Sequence, residues 1–200
     1  PTSYPQLSDD GKVLAYINDG NSSSIYDSRA HFSTLNGGVY TPSSEIDAPT
    51  GFSGYGDTSV SLSGTGSFAA AAWVRMGTDL PGKNAGDAVT LEEQNLLMNS
   101  TEIVVSVYNG TTWTSTRLTN DGTPDLAPAT AVGGDGKAIV FWRSVYTPDP
   151  GTQGSNNLLN FTTRDCIMYR CYDSSNGTWS EAKMLYNGAT GRVKALQAAM

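Results

Sequence analysis

Short apolar runs separated by glycine-containing turns recur along the chain and predict a protein built from paired strands. In residues 128–132 small and apolar side chains alternate, residues 133–136 (Gly-Gly-Asp-Gly) carry a turn signal, and residues 137–142 are rich in β-branched and aromatic side chains. An Asp-Gly pair between two such runs predicts a tight hairpin, because glycine adopts positive φ without a Cβ clash. Residues 5–16 repeat this pattern, and residues 61–73 form a looser copy.

A second hairpin pattern alternates with the first. Residues 103–113 and 167–179 each contain a strand-like run, an Asn-Gly turn and a further run that opens on tryptophan, and residues 31–40 are a weaker copy. Two hairpins per repeat make a four-stranded antiparallel unit, which cannot cover both of its own faces. Stacking such units around an axis is the β-propeller solution.

The repeats predict an all-β fold, a partial β-propeller of four-stranded antiparallel blades. We expect blades at about 4–46, 57–118 and 126–185, and the first strand of a further blade at 193–200. Single-chain propellers have about four to eight blades, so three blades leave sheet edges and an apolar face uncovered. The rest of a longer chain, or further copies of this one, must then close the ring, and the sequence favours a longer chain.

The connections between strands are of two kinds. Those inside each hairpin are short, whereas residues 76–102 and 145–165 are long connections between hairpins. Consecutive up-and-down strands place the short connections on one edge of the propeller, the tight-turn rim, and the long ones on the other, the long-loop rim. Long loops in compact domains are usually functional or disordered, so the long-loop rim is the predicted binding face. In the first long loop, Thr90 and Glu93 predict a capping box that opens a short helix.

Several motifs resemble known propeller repeats. Residues 5–12 (Pro-Gln-Leu-Ser-Asp-Asp-Gly-Lys) resemble strand pairs of TolB-like propellers and of the propellers in prolyl-oligopeptidase-type peptidases. The succession of Tyr-Asn-Gly-x-x-Trp from residue 108, Leu-Thr-Asn-Asp-Gly from residue 118 and Ala-Pro-Ala-x-Ala-Val-x-x-Asp-Gly from residue 127 is similar to repeats of large secreted bacterial proteins and of the sialidase-like superfamily. The resemblance covers nearly the whole chain and implies a secreted or cell-surface bacterial protein with several domains. Its motifs concern architecture and indicate no catalytic residue.

Composition and charge restrict the partners. A net charge of −7 and an isoelectric point near 4.5 argue against nucleic acid and against anionic membrane surfaces, since both require a basic face. Because no run approaches 18 apolar residues, membrane insertion is not expected either. Cys166 and Cys171 fall five positions apart in a predicted strand, too far apart for a disulfide, so both are expected to be free thiols.

The sequence predicts no metal and no cofactor. A single histidine and the absence of paired Cys/His spacings argue against zinc. Residues 121–125 (Asp-Gly-Thr-Pro-Asp) and 18–21 (Asn-Asp-Gly-Asn) contain oxygen ligands of the kind that Ca²⁺ takes, which makes calcium the weakly supported exception. Neither stretch has the spacing of a calcium loop, and turn formation accounts for both.

Four residues near the long-loop rim are candidates for ligand binding: Trp73, Arg75, Trp142 and Arg143. The tryptophans close the second strand of the second and third blades, and the arginines fall just past it in places that look equivalent. Tryptophan rings stack on sugar faces, and a sialidase-like enzyme would use arginines to bind its substrate's carboxylate. The alternative is structural, with the rings packed between blades and the arginines serving as ordinary rim residues.

A non-catalytic module that binds glycan or protein through the long-loop rim is the function that these features favour. The alternatives are a sialidase-like glycoside hydrolase, the non-catalytic propeller of a prolyl-oligopeptidase-type peptidase, and an inert scaffold. No residue pair is singled out as catalytic among the 19 aspartates and glutamates.

Overall fold

The strands that the structure describes form three antiparallel sheets, which follow one another in sequence. A computed structural model describes residues 5–19, 27–47, 49, 56–80, 82–83, 87–145, 165–187, 193 and 196–199. Sheet 1 contains β1 (Gln6–Leu7), β2 (Val13–Asn18), β3 (Arg29–Asn36), β4 (Val39–Tyr40) and β5 (Ser44–Glu45). Sheet 2 contains β6 (Gly56–Gly64), β7 (Ala69–Met76), β8 (Thr101–Tyr108) and β9 (Trp113–Arg117). Sheet 3 contains β10 (Asp125–Val132), β11 (Lys137–Val145), β12 (Asp165–Asp173), β13 (Thr178–Trp179) and β14 (Lys183–Asn187).

Each sheet is a meander with four strand positions. The orders are β1-β2-β3-β4, β6-β7-β8-β9 and β10-β11-β12-β13. In sheets 1 and 3 the outermost strand is interrupted, so that β5 also pairs with β3 and β14 also pairs with β12. The interruption in sheet 1 contains Pro42, which has no amide hydrogen for a ladder. This architecture confirms the predicted fold class, an all-β partial β-propeller.

The sheets stack face to face, and the middle one is covered on both sides. The first strand of sheet 2, β6, lies against β1, β2 and β3, and the first strand of sheet 3, β10, lies against β6, β7 and β8. Along β7, Trp73 packs toward Val13 of sheet 1, whereas Val74 packs toward Val140 of sheet 3. A strand covered on both faces needs a continuous apolar run, which is why β7 reads Ala-Ala-Ala-Ala-Trp-Val.

Sheets 2 and 3 repeat an irregular feature as well as their strand order. The first strand of each carries a bulge with a non-glycine residue at positive φ, Ser59 at 57° and Ala127 at 51°. An aspartate lies two residues before each bulge, Asp57 in β6 and Asp125 in β10. The bulge therefore gives a residue-by-residue equivalence between the two sheets.

Two local predictions are confirmed. Helix α1 (Leu91–Asn99) begins after Thr90, whose hydroxyl accepts from the Glu93 amide while the Glu93 carboxylate accepts from the Thr90 amide. Cys166 and Cys171 are both free thiols, the first buried and the second exposed. Within the described ranges, no helix has the length and apolarity needed to cross a membrane.

The outer face of sheet 3 is only partly covered. Phe141 and Tyr169 point away from sheet 2, contact each other with ring centres 5.8 Å apart, and stay partly exposed. In a closed propeller the next blade covers such a face. The further strand predicted at 193–200 lies partly outside the described residues, and Val193 and residues 196–199 are not in a strand. This strand and the division of the chain into domains stay predictions.

Gly64 offers a test of how closely the first hairpin of sheet 2 is packed. It has φ of 116°, and a Cβ placed there would meet the Phe68 carbonyl oxygen and lie 2.6 Å from the Ala69 Cα. We expect Gly64→Ala to lower the free energy of unfolding by about 1–3 kcal/mol, measured by urea denaturation. Gly134→Ala is the matched control, because nothing lies within 4 Å of its added methyl group. Equal stability of the two variants would contradict this packing.

Candidate functional site

A buried ion pair holds sheets 1 and 2 together at the long-loop rim. Arg75 donates through Nε to Asp57 Oδ1 at 2.6 Å and through Nη2 to Asp57 Oδ2 at 2.7 Å. Their side chains are 1% and 0% exposed. Asp57 Oδ2 also accepts from the Ala30 amide of sheet 1 at 2.9 Å. Arg75 is therefore committed to a structural pair and has no accessible guanidinium for a ligand.

The two candidate tryptophans lie in the core between the sheets. Trp73 is 0% exposed and packs between sheets 1 and 2, and Trp142 is 2% exposed and packs between sheets 2 and 3. Neither presents a ring face on which a sugar can stack. Their positions agree with the structural interpretation and give no support to a binding role.

Arg75 and Arg143 are not equivalent, contrary to the expectation from sequence. Asp57 is the register partner of Arg75, whereas Asp125 is the register partner of Ser144, and Arg143 lies one residue earlier. The equivalent of Arg75 is thus Ser144, and Arg143 points to the opposite face of its sheet. There its Nε lies 3.9 Å from Asp165 and its Nη1 donates to the Val193 carbonyl at 3.4 Å. One residue fewer between the tryptophan and the arginine causes this change of face.

Asp125 is a buried carboxylate with one unsatisfied oxygen. It is 0% exposed, and its Oδ1 accepts from Trp142 Nε1 at 3.0 Å. Oδ2 has no hydrogen-bond partner among the residues that the structure describes. Burial raises the pKa of Asp125 to about 7, and the nearby Ser144 and Thr119 hydroxyls offset only part of this cost. A negative charge at this position is therefore poorly compensated.

A second buried carboxylate, Glu102, lies beside Asp125. Glu102 is 2% exposed and sits at the start of β8. Its Oε1 accepts from Arg117 Nη2 at 3.0 Å, and its Oε2 accepts from the Thr119 hydroxyl at 2.6 Å. Burial raises the pKa of Glu102 in spite of these two donors. Arg117 thus compensates Glu102 and leaves Asp125 without a cation.

Asp121 completes a cluster of three carboxylates, which we call the acidic triad. One oxygen each of Glu102, Asp121 and Asp125 lie within 4.8 Å of one another. Asp121 is exposed and belongs to the connection between sheets 2 and 3, where its Oδ1 accepts from the Thr123 amide at 2.9 Å. Carboxylate oxygens in such a group are the ligands that hard divalent cations take.

An open cleft of about 380 Å³ adjoins the acidic triad between sheets 2 and 3. Polar side chains line most of it, with a smaller apolar part. Its lining residues are Arg117, Leu118, Thr119, Asn120, Asp121, Trp142, Ser144, Met168, Arg170 and Ala182. We call this the interblade cleft. Of the four candidates from sequence, only Trp142 lines it, and Trp142 does so with little exposed surface.

Comparison with known proteins gives a structural likeness and no family. No family model matches the chain, and no curated protein matches it. Fifteen chains of solved structures match, among them the crystal structure of xylan beta-1,4-xylosidase from Bacillus Halodurans C-125, with a TM-score of 0.46 and 12% sequence identity. The match covers 92% of this chain and 32% of that one. The resemblance to TolB-like and sialidase-like repeats stays a prediction.

Sequence reasoning missed most of the acidic triad and the interblade cleft. Residues 121–125 stood out as oxygen-rich, but Glu102 reads as an ordinary polar residue at the start of a strand. The signal that could have pointed to Glu102 is the sequence repeat, which predicts that corresponding strands of neighbouring blades make corresponding contacts. In the structure Asp125 lies against the beginning of β8, as Asp57 lies against the beginning of β3.

The buried Asp57–Arg75 pair between sheets 1 and 2 allows a test of its structural role. Arg75→Met leaves Asp57 buried without its cation, so we expect a loss of about 3–5 kcal/mol in the free energy of unfolding, measured by urea denaturation. The double variant Asp57→Asn/Arg75→Met removes both charges and should recover about half of that loss or more. Lys137→Met breaks an exposed pair with Asp135 and should change nothing measurable. A single variant as stable as Lys137→Met would refute the structural role of the pair.

Proposed function

We propose that this chain is a non-catalytic β-propeller module that binds glycan in the interblade cleft. The observation that carries the proposal is the convergence of donors and acceptors from two sheets on one open cleft. Sheet 2 contributes Arg117 and sheet 3 contributes Arg170. The connection between the sheets contributes Asn120 and Asp121. A volume of about 380 Å³ falls in the usual range of about 300–1,000 Å³ for ligand sites.

The chemistry of the lining suits a hydroxyl-rich ligand. A sugar presents hydroxyl groups that both donate and accept, and the lining offers guanidinium and amide donors together with a carboxylate acceptor. Leu118 and Met168 supply a small apolar surface beside these groups. A protein partner would need a larger apolar surface at the centre of the contact.

The burial of the nearby carboxylates favours binding over hydrolysis. A glycosidase needs two carboxyl groups that reach the scissile bond, one as acid and the other as base or nucleophile. Glu102 is 2% exposed and Asp125 is 0% exposed, so neither carboxyl group is open to a sugar in the cleft. Asp121 alone among the triad is exposed.

The setting that we propose is a secreted or cell-surface protein in which further blades complete the ring. The partly exposed Phe141 and Tyr169 on the outer face of sheet 3 support this. Light scattering on the 200-residue chain should show self-association through this face, and Phe141→Glu should reduce it. A monodisperse, folded monomer that the variant leaves unchanged would contradict an incomplete ring.

Affinity electrophoresis through gels that contain a soluble polysaccharide tests glycan binding. We expect at least one of xylan, arabinan, mannan, β-glucan or pectin to retard the chain without release of reducing ends. Arg170→Gln should weaken that retardation about tenfold, which corresponds to about 1.4 kcal/mol. Lys137→Gln, on the tight-turn rim, makes the same change of charge and should bind as the unmodified chain does.

Three results would count against this function. No retardation by any polysaccharide, or equal retardation of Arg170→Gln and Lys137→Gln, would remove the interblade cleft as a glycan site. Release of reducing sugar that Asp121→Asn abolishes would instead make the chain a hydrolase.

A further inference from the structure

The two interfaces between neighbouring sheets contain the same buried aspartate but not the same counter-charge. Asp57 and Asp125 occupy equivalent positions, two residues before equivalent bulges. Arg75 neutralises Asp57 through two hydrogen bonds. The position equivalent to Arg75 beside Asp125 is Ser144, which carries no charge.

At the second interface, further carboxylates lie beside the buried aspartate. In the first interface Asp57 lies against Ser28, which immediately precedes β3 and whose carbonyl and hydroxyl accept from the Asp57 amide at 3.0 and 3.1 Å. Beside Asp125 lies the carboxylate of Glu102, at the start of β8. The second interface thus brings a further carboxylate to the aspartate that has no arginine opposite it.

Hydrogen bonds within the described residues leave one buried oxygen of this group of acids unsatisfied. Asp125 is 0% exposed and its Oδ2 has no partner there. A buried carboxylate without a counter-charge costs several kcal/mol, and proteins avoid that cost by pairing, by protonation or by metal coordination. The unsatisfied Oδ2 is an observation separate from the clustering of acids, and it indicates that a ligand is missing from the group.

We propose that Glu102, Asp121 and Asp125 bind a Ca²⁺ ion, which takes the place that the Arg75 guanidinium occupies in the preceding blade interface. Three carboxylates supply hard oxygen ligands, and one oxygen of each lies within 4.8 Å of the others, close enough to share an ion with Ca–O bonds of about 2.3–2.6 Å. Mg²⁺ demands shorter bonds and a near-ideal octahedron, so the triad favours the larger ion. The ion would join the start of β8 to the start of β10 and thereby fix sheet 3 against sheet 2.

This site shares Asp121 with the interblade cleft, but the proposal does not rest on glycan binding. Its test uses the metal alone, so that failure of the polysaccharide experiment leaves it standing, and its own failure leaves the glycan proposal standing.

Sensitised Tb³⁺ luminescence measures the site directly. Tb³⁺ replaces Ca²⁺ at oxygen sites, and the Trp142 indole, 3.0 Å from Asp125 Oδ1, is close enough to transfer excitation to it. We expect Tb³⁺ emission on excitation at the tryptophan band, with displacement by Ca²⁺ at concentrations at least tenfold lower than by Mg²⁺. Ca²⁺ should also raise the melting temperature of the EDTA-treated chain, because it binds the folded state alone.

Asp121→Asn is the decisive variant. The residue is exposed, and asparagine keeps the acceptor for the Thr123 amide, so the fold should survive. Loss of one charged ligand should weaken Ca²⁺ binding at least tenfold. Asp173→Asn makes the same change on the tight-turn rim, where Asp173 accepts from the Ser175 amide in the same way, and should bind Ca²⁺ as the unmodified chain does.

Ser144→Arg tests the equivalence of the two interfaces. An arginine there should pair with Asp125 as Arg75 pairs with Asp57, abolish Tb³⁺ emission and raise the melting temperature in EDTA. If this variant fails to fold, the comparison of Asp121→Asn with Asp173→Asn still tests whether the acidic triad binds Ca²⁺. The proposal is overturned if the unmodified chain shows neither Tb³⁺ emission nor a Ca²⁺-dependent melting shift, or if Asp121→Asn and Asp173→Asn bind Ca²⁺ equally.

Discussion

Much of this fold depends on a carboxylate buried where one blade meets the next. At the first interface the carboxylate of Asp57 accepts from a backbone amide at the start of β3 in the preceding sheet, and Arg75 from its own sheet neutralises it. This arrangement ties three strands from two sheets at the long-loop rim. It costs desolvation of two charges, which bidentate geometry and the cross-sheet hydrogen bond offset. The directional hydrogen bonds fix the position of one sheet on the other, whereas apolar contacts alone are non-directional.

The middle sheet shows why the carboxylate needs a fixed partner. Between the rims, the contacts across β7 are made largely by alanine, which lets neighbouring sheets approach closely but provides little interlocking shape. A specific polar contact at one end of the interface then selects the register between sheets. At the second interface the same aspartate is present and the arginine is absent, so the constraint must be met by something else. A cation in place of the guanidinium would preserve the constraint and would lie beside the open cleft that Asp121 lines.

The strands were predictable because local signals and tertiary packing agree in this chain. Period-two alternation and glycine-containing turns indicated the hairpins of all three sheets, and Thr90 with Glu93 indicated the helix. The burial of Trp73 and Trp142 in the core was not predictable in the same way. An aromatic residue at the end of a strand serves equally as a core residue or as a surface for a sugar, and the stacking of the next sheet decides between them.

The candidate site could not be predicted from the sequence for a second reason. Whether Arg143 matches Arg75 depends on counting residues from the bulge, and the sequence alone does not reveal where the bulge lies. A shift of one residue in a strand moves a side chain to the other face of the sheet. The same shift hides the absence of an arginine beside Asp125, and the approach of Glu102 to Asp125 exists only once sheets 2 and 3 are stacked.

The central claim is that a bound cation at the second interface does what an arginine does at the first. Crystals of the chain grown in calcium chloride, with anomalous diffraction data collected at long wavelength, test it most directly. The account predicts an anomalous peak with oxygens of Glu102, Asp121 and Asp125 at about 2.3–2.6 Å. It is contradicted if the triad contains no such peak and Asp125 Oδ2 is hydrogen-bonded to a hydroxyl group or a water molecule instead.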